Sequence, residues 1–187
     1  MFLRRLRDLP GDVIDFIKEK KMLVIGILSA VIISLIFVFN LKNYYCSILF
    51  FPDSKKTGLL YERRNILYGK NRLDRINKIV DELLLGPIGP KYLDIFPMNS
   101  RLLSSRFDND VLSLNFNRET VMNVNWDSTD NLSIYKILLQ CIVDTVCYHD
   151  RGIKYVKFYF DGKEYRYVGD YKLPDEGVKP DWKILKK

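Results

Sequence analysis

The sequence predicts an α+β fold in which two helices pack on a mainly antiparallel sheet, preceded by one transmembrane helix. Three observations lead to this prediction: a long charge-free stretch near the N-terminus, two amphipathic helical patterns, and hairpin signals between alternating segments. Amphipathic helices that follow strands in this order bury their apolar stripes against a sheet face. The length, 187 residues, suits one compact domain beside the charge-free stretch.

The charge-free stretch, residues 22–39, has the 18 residues that a membrane-spanning helix needs. A helix of this length measures about 27 Å, close to the thickness of the hydrocarbon core. The stretch is apolar on every face, unlike a surface helix. Because no small-x-small cleavage site follows it, we expect an uncleaved anchor at residues 22–41.

The distribution of basic residues predicts the orientation of this anchor. More basic residues precede the stretch than follow it closely: Arg4, Arg5, Arg7, Lys18, Lys20 and Lys21 against Lys42, Lys55 and Lys56. The flank richer in Lys and Arg stays in the cytoplasm. We therefore expect residues 1–21 inside the cell, a single pass through the cytoplasmic (inner) membrane, and an extracytoplasmic or periplasmic domain at residues 43–170.

The charge of this domain argues against nucleic-acid binding. Residues 1–42 hold seven of the 30 Lys/Arg and four of the 23 Asp/Glu, which leaves 23 basic and 19 acidic residues for residues 43–187. Both signs are interspersed along the domain, whereas nucleic-acid binding needs a concentrated basic stripe. We therefore expect no nucleic-acid partner.

Two extended segments and a helix open the predicted domain. Residues 47–51, an apolar run that ends at Pro52, predict a strand, and the loose alternation of residues 59–67 predicts a second. Residues 73–85 have apolar positions three and four apart, which predicts a helix with one buried stripe. The dipeptide Gly86-Pro87 ends it, because glycine suits the left-handed conformation and proline cannot continue a helix.

A hairpin and a second helix follow. Residues 100–106 and 111–116 flank residues 107–110, whose Asp and Asn side chains suit a tight turn. Residues 131–149 have a broad apolar face at helical spacing, with an N-terminal cap expected within residues 128–131.

The last predicted elements are a hairpin and a tail. Residues 155–160 and 163–168 alternate around Asp161-Gly162, a dipeptide typical of two-residue hairpin turns. Residues 171–187 combine prolines, a glycine and mixed charge, which predicts an extended or mobile tail.

Four tyrosines of this hairpin form a candidate contact face: Tyr155, Tyr159, Tyr165 and Tyr167. One interpretation is a half-buried β surface, where tyrosine is common. The other is a surface or strand edge that a partner protein contacts. The sequence leaves both interpretations open.

The sequence lacks the residue sets that common catalytic and metal sites need. The single histidine, His149, is better explained as a C-terminal helix residue that the helix dipole stabilises than as part of a catalytic triad. With Cys46, Cys141 and Cys147 it supplies too few clustered ligands for zinc. The odd number of cysteines argues against a disulfide framework, although a bond from Cys46 to either of the others stays open.

We therefore expect that the protein is not an enzyme, that it binds no cofactor, and that it has no catalytic, cofactor-binding or metal site. The acidic pairs Asp81/Glu82 and Asp127/Asp130 leave glycan hydrolysis as the enzymatic alternative.

A series of short motifs resembles the GerM-type (GerMN) domain of sporulation and spore-germination proteins. The family series is a strand ending in proline, a helix ending in Leu-x-x-Gly-Pro, an Ile/Leu-Pro, a strand, a helix with Ile-Val-Asn-Thr, and a strand closing with Asp-Gly. Residues 46–168 contain the corresponding motifs in the same order: Phe50-Phe51-Pro52, Leu83-Leu84-Leu85-Gly86-Pro87, Phe96-Pro97, Leu112-Ser113-Leu114-Asn115-Phe116, Ile142-Val143-Asp144-Thr145 and Phe158-Tyr159-Phe160-Asp161-Gly162. The sequence departs from the pattern at Asp144, where Asn is usual, and at Asn115-Phe116, where a strand end containing Ser is usual.

The resemblance implies a single-copy, non-enzymatic extracytoplasmic domain. It marks nine positions as structural: Pro52, Gly86, Pro87, Pro97, Asn115, Asp144, Thr145, Asp161 and Gly162. Together with the anchor, it predicts an envelope scaffold or assembly module that binds envelope proteins or its own copies. The alternative is a module that binds peptidoglycan.

Overall fold

The computed structural model describes residues 21–39, 44–54, 58–122 and 134–185. The chain divides into two compact units, residues 1–42 and residues 43–187.

The first unit contains helix α1, Lys21–Phe39. Its large apolar side chains are exposed: Leu23, Val24, Ile25, Ile27, Leu28, Val31, Ile32, Ile33, Leu35 and Ile36. Within the part of the chain that the structure describes, no helix has the length and apolar character required to cross a membrane. The structure thus supports a helix at this place but not the predicted membrane span.

The second unit opens with a two-stranded antiparallel sheet of β1, Tyr44–Pro52, and β2, Leu59–Leu67. The register runs from Tyr44 opposite Leu67 to Pro52 opposite Leu59. Both predicted strands are confirmed, and β1 begins three residues earlier than the sequence indicates.

Helix α2, Arg72–Leu84, confirms the first predicted domain helix. Asn71 caps it, since its side-chain oxygen accepts a hydrogen bond from the Asp74 backbone N–H at 2.8 Å. Its predicted apolar stripe is buried: Ile76, Ile79, Val80, Leu83 and Leu84.

A four-stranded sheet follows in the order β3-β4-β5-β6, with helix α3, Ile134–His149, between β4 and β5 in the chain. The strands are Leu102–Asp108, Val111–Phe116, Tyr155–Phe160 and Lys163–Glu164. Neighbouring strands are antiparallel except β4 and β5, which are parallel. This exception has a physical cause, because the chain crosses over through α3 and enters β5 from the same end as β4. The α+β prediction is therefore confirmed for the domain, but the described strands form three separate sheets rather than one, and the four-stranded sheet is mixed.

The second predicted hairpin is shorter than the sequence indicates. Asp161 and Gly162 both have positive φ, +50° and +73°, as a two-residue turn with left-handed central residues requires. The return strand β6 ends at Glu164, and residues 167–168 instead form β7 with β8, Tyr171–Lys172.

The predicted tail belongs to the folded domain over residues 171–185. Val178 exchanges two backbone hydrogen bonds with Val156, of 2.9 and 2.8 Å, and is buried. Leu185 forms a bridge with Leu59 of β2. This segment is ordered by its packing against the rest of the domain. A local pattern of prolines and charges does not reveal such packing.

The core lies between the inner sheet faces and helices α2 and α3. Its largest fully buried aromatic side chains are Phe51, Phe116 and Phe160. Cys141 and Cys147 are buried in it as free thiols, whereas Cys46 is free and exposed. None of the disulfide bonds that the sequence left open is present among these three cysteines.

Candidate functional site

Gly86 ends α2 at a backbone position that strongly favours glycine. Its φ is +78°, and a Cβ atom added there would lie 2.7 Å from the Asp94 carboxylate. The buried Arg64 guanidinium donates hydrogen bonds to the Gly86 carbonyl and, at 2.9 Å, to the Glu82 carbonyl. The Gly86-Pro87 motif therefore terminates the helix and provides a docking point for β2.

Two further prolines of the family series also lie at backbone junctions. The Pro52 carbonyl accepts a hydrogen bond from the Leu93 N–H at 2.9 Å, and the Pro97 carbonyl accepts one from the Ser100 N–H at 2.9 Å. Both carbonyls hold the long connection between α2 and β3.

Asn115, Asp161 and Gly162 come together at the tip of the second hairpin. The Asn115 side-chain oxygen accepts a hydrogen bond from the Gly162 N–H at 2.9 Å, and the Asp161 N–H donates to the Phe116 carbonyl at 2.8 Å. These contacts join β4 to the β5–β6 turn across 47 residues of chain.

The contact between α3 and β1, here called the seam, uses two polar side chains of α3. The Thr145 hydroxyl accepts a hydrogen bond from the Phe50 N–H at 3.1 Å. Nε2 of His149 lies 2.8 Å from the Ser47 hydroxyl and 3.2 Å from the Ile48 backbone nitrogen. Since Ser47 is fully buried, this Ser–His pair holds the sheet on the helix and has no access to a substrate.

His149 differs from its sequence interpretation. Burial lowers the pKa of His149, which favours the neutral imidazole over the cation that a helix dipole would stabilise. The structural role of His149 depends on its contact with Ser47, more than 100 residues away. That contact exists only in the folded chain, so the local sequence could not reveal it.

Asp144 is a fully buried carboxyl that links α3 to the C-terminal segment. Its Oδ1 accepts hydrogen bonds from the Gln140 side chain at 2.7 Å and from the Asp181 N–H at 2.9 Å, while Oδ2 is buried without a partner among the described residues. Burial raises the pKa of Asp144 to about 6. Gln140 also donates to the Lys179 carbonyl at 3.0 Å.

Neither the two buried thiols, Cys141 and Cys147, nor Asp110 in the turn between β3 and β4 belongs to a reactive cluster. Burial raises the pKa of Cys147 to about 12 and that of Cys141 well above its usual range, so both thiols stay protonated and weakly nucleophilic. Asp110 pairs with Lys154 at 3.0 Å. Among the described residues, no group of three or more His, Cys, Asp and Glu could hold a metal ion.

The four candidate tyrosines do not share one surface. Tyr155 and Tyr159 alternate with the buried residues of β5 and lie on the outer face of the four-stranded sheet. Tyr165 packs edge-on against Phe160, with ring centroids 6.0 Å apart, and lines a different groove together with Tyr167.

The outer sheet face forms a polar groove of about 400 Å³. Tyr159 lies in it beside short polar side chains: Ser104, Ser105, Ser113 and Asn115. Asn115 donates to the Ser104 hydroxyl at 3.3 Å, so part of this polar surface is already paired.

A larger cleft, about 700 Å³, lies between the C-terminal end of α3 and residues 179–185. We call it the aromatic cleft. Its lining consists of Cys147, Tyr148, Arg151, Ile153, Lys154, Tyr155, Lys179, Pro180, Trp182 and Leu185. The sequence did not reveal this cleft, because four of its ten lining residues come from the segment interpreted as a tail. The one available signal was an isolated tryptophan, Trp182, in a charged segment after a proline.

Comparison with known proteins identifies the domain. Residues 48–166 match the family named Germane, described as sporulation and spore germination. The chain belongs to the Germane family. The matched region contains all of the family motifs described above. It ends before the C-terminal segment that completes the aromatic cleft.

The fold resembles that of one solved structure, and two further structures show weaker similarity. The tandem GerMN domains of the sporulation protein GerM from Bacillus subtilis are 12% identical, with a TM-score of 0.53 over 73% of this chain and 46% of that chain. The first GerMN domain of the same protein gives 12% identity and a TM-score of 0.49 over 72% and 97%. A putative lipoprotein from Clostridium perfringens gives 22% identity and a TM-score of 0.44 over 68% and 81%. No curated protein matches the sequence significantly.

Proposed function

We propose that this chain is a membrane-tethered envelope protein whose Germane domain is a non-enzymatic scaffold or assembly module. The observation that carries the proposal is the contrast between buried reactive groups and exposed aromatic ones. Ser47 and Asp144 are fully buried and hydrogen-bonded, whereas Tyr148, Tyr167 and Trp182 are each about half exposed. Aromatic residues at the surface are typical of protein interfaces.

The tether is supported by the amino-acid sequence of α1. Residues 22–39 contain no charged side chain, and the large apolar side chains between Leu23 and Ile36 are exposed on all sides of the helix. So large an apolar surface requires lipid or protein to cover it. The basic residues on its N-terminal side favour a cytoplasmic N-terminus and an extracytoplasmic domain.

Protease protection tests the tether and its orientation. We expect externally added protease to digest residues 43–187 in spheroplasts and to leave the N-terminal segment intact. A domain that resists digestion until the cells are lysed would contradict the orientation, and a chain recovered in the wash after carbonate extraction would contradict the tether.

In-cell crosslinking tests the scaffold function. A tagged full-length chain is crosslinked in intact cells, and the captured proteins are identified by mass spectrometry. We expect envelope proteins, or a ladder of the chain's own copies, that disappear when residues 43–187 are deleted. Recovery of the monomer alone would contradict an assembly function.

The polar groove on the outer sheet face favours a second candidate, peptidoglycan binding. Its hydroxyl and amide groups both donate and accept hydrogen bonds, as sugar hydroxyls do, and Tyr159 provides a flat ring surface. Co-sedimentation of the full-length chain with purified sacculi separates the candidates. Binding that Tyr159→Ala abolishes would favour the glycan, and the absence of any co-sedimentation would exclude it.

A further inference from the structure

The aromatic cleft is lined by side chains that donate hydrogen bonds. None of the described residues in its lining is Asp, Glu, Asn or Gln. The charged groups of Arg151, Lys154 and Lys179 and the indole N–H of Trp182 only donate, and just the two tyrosine hydroxyls can also accept. Such a lining suits a ligand group that only accepts hydrogen bonds and is negatively charged, and among protein side chains this group is the carboxylate. It suits sugar hydroxyls poorly, because each of them also needs an acceptor.

The rest of the lining is apolar and suits a bulky side chain. Ile153, Pro180 and Leu185 lie in the cleft, and the rings of Tyr148 and Trp182 are each 46% exposed. Burying one large apolar side chain against these groups would favour binding, because it removes apolar surface from water. Exposed aromatic rings of this kind are the usual anchors of peptide and protein recognition.

The cationic groups of the cleft are available to a ligand. Arg151 is exposed, and none of the ion pairs between described residues involves it. Lys154 pairs with Asp110 at 3.0 Å and Lys179 with Glu176 at 3.5 Å. Both lysines are more than half exposed, and exposed pairs contribute little to stability, so a ligand carboxylate can share their ammonium groups at small cost.

The wall of the cleft is built before any ligand binds. Gln140 and Asp144 of α3 hold the backbone of Lys179 and Asp181 through hydrogen bonds of 3.0 and 2.9 Å. The adjacent Val178 pairs with β5 through its backbone. A preformed groove loses little conformational entropy on binding, which raises the affinity for a short ligand.

We propose that the aromatic cleft binds an acidic peptide segment of a partner protein. An apolar side chain of that segment packs against Tyr148 and Trp182, and carboxylates on either side bind Arg151 and the two lysines. This inference rests on the proposed protein-interaction function and specifies the chemistry of the partner. The interspersed charge of residues 43–187 disfavours a polyanion as the occupant, because a polyanion needs a long basic stripe.

The test uses the full-length chain in a mild detergent and fluorescently labelled synthetic peptides. One set has a central Trp, Phe or Leu flanked by Glu and Asp, and matched sets carry Lys or Ser flanks, or a central Ala. We expect the acidic-flanked apolar peptides to bind about tenfold more tightly than each matched set, and their affinity to fall as salt is added.

Two variants with matched controls locate the binding. Arg151→Glu reverses one charge of the cleft, and Arg106→Glu reverses an exposed charge on the outer sheet face. Trp182→Ala removes an exposed ring of the cleft, and Tyr61→Ala removes an equally exposed ring outside it. We expect R151E and W182A each to weaken peptide binding about tenfold and both controls to leave it unchanged.

The outcomes separate this inference from the scaffold proposal. The inference would be overturned if acidic, neutral and basic peptides bound equally well. It would also be overturned if the cleft variants and their controls lost the same amount of peptide affinity. Binding to vesicles containing phosphatidylglycerol that R151E and W182A abolish, without peptide binding, would assign the cleft to lipid instead. If the in-cell crosslinks persist in R151E and W182A while no peptide binds, the scaffold function stands and the cleft is not its interface.

Discussion

Helix α3 builds two regions of opposite character, the seam with β1 and the aromatic cleft. In the seam, Thr145 and His149 bond to the backbone and side chains of β1 inside the core. In the cleft, Tyr148 precedes His149 by one residue and exposes nearly half of its side chain. Neighbouring residues on a helix point in different directions, so one helix end can serve both purposes.

The two regions differ in the chemistry of their side chains: the potentially reactive groups lie in the seam, and the groups suited to binding lie in the cleft. The seam contains a serine, a threonine and a histidine, and each has a buried structural partner. The cleft contains cations and aromatic rings, which recognise ligands without reacting with them. The seam therefore accounts for stability and the cleft for binding, and the following variants test that division.

Asp144→Asn should have the largest effect, and the effect should depend on pH. Burial raises the pKa of Asp144 from 3.8 to about 6, so its contribution to stability is complete below the unfolded-state pKa and is lost as the pH rises through about 6. Asparagine keeps the Oδ1 acceptor and does not ionise. Between about pH 4 and pH 7, we expect D144N to gain about 3 kcal/mol over the wild type, since each pKa unit corresponds to about 1.4 kcal/mol.

Urea unfolding of the full-length chain at several pH values measures this difference. Asp175→Asn, at an exposed carboxylate of the C-terminal segment, is the matched control and should show no such trend. A pH-independent difference for D144N would mean that Asp144 is not the buried group that joins α3 to the cleft wall.

Thr145→Val tests the seam directly. Valine has nearly the same shape but cannot accept the Phe50 N–H, which would remain buried without a partner. We expect a loss of about 1–3 kcal/mol in urea unfolding. Thr145→Ser keeps the hydroxyl and should lose less, and equal losses in both variants would assign the effect to packing rather than to the hydrogen bond.

Gly86→Ala tests whether the family motif acts through backbone geometry. The positive φ makes any side chain unfavourable, and the new Cβ would also contact the Asp94 carboxylate. Gly162→Ala has a similar φ, +73°, with open space around the added atom. We expect G162A to lose about 1 kcal/mol and G86A to lose more in thermal unfolding. A smaller loss for G86A would show that the Asp94 side chain moves aside at no cost.

Trp182→Ala should have the smallest effect on stability. The ring is 46% exposed and lies in a short 3-10 helix near the end of the described chain. We expect a loss below about 1 kcal/mol in thermal unfolding, together with the loss of peptide binding described above. A loss as large as that of Thr145→Val would mean that the cleft wall belongs to the core, and the division between seam and cleft would fail.

Local signals predicted most elements of this domain. The alternation of residues 59–67 and the apolar spacing of α2 depend on periods of two and 3.6 residues, which are visible within one element. Gly86 and the Asp161-Gly162 turn were predicted because their backbone angles suit few other residues. The weaker predictions, the long return strand and the mobile tail, concern segments whose order depends on distant partners.

The candidate site was much less predictable than the fold. Tyr155 was grouped with Tyr165 and Tyr167, which line another groove. Trp182 and Lys179 were overlooked, since nothing in their own segment shows that α3 lies beside them. His149 was assigned to the helix dipole, because its partner Ser47 is 102 positions away in the chain.

The sequence by itself determined the family, the α+β class, the positions of both domain helices and the chemistry of the turns. These features follow from side-chain periodicity and backbone preference, which act over a few residues. Only the tertiary structure decided the parallel pairing of β4 with β5, the burial of Ser47 and Asp144, the contact of His149 with Ser47, and the aromatic cleft. Each of these depends on which distant segments meet, and that choice is made by the packing of the whole core rather than by any one segment.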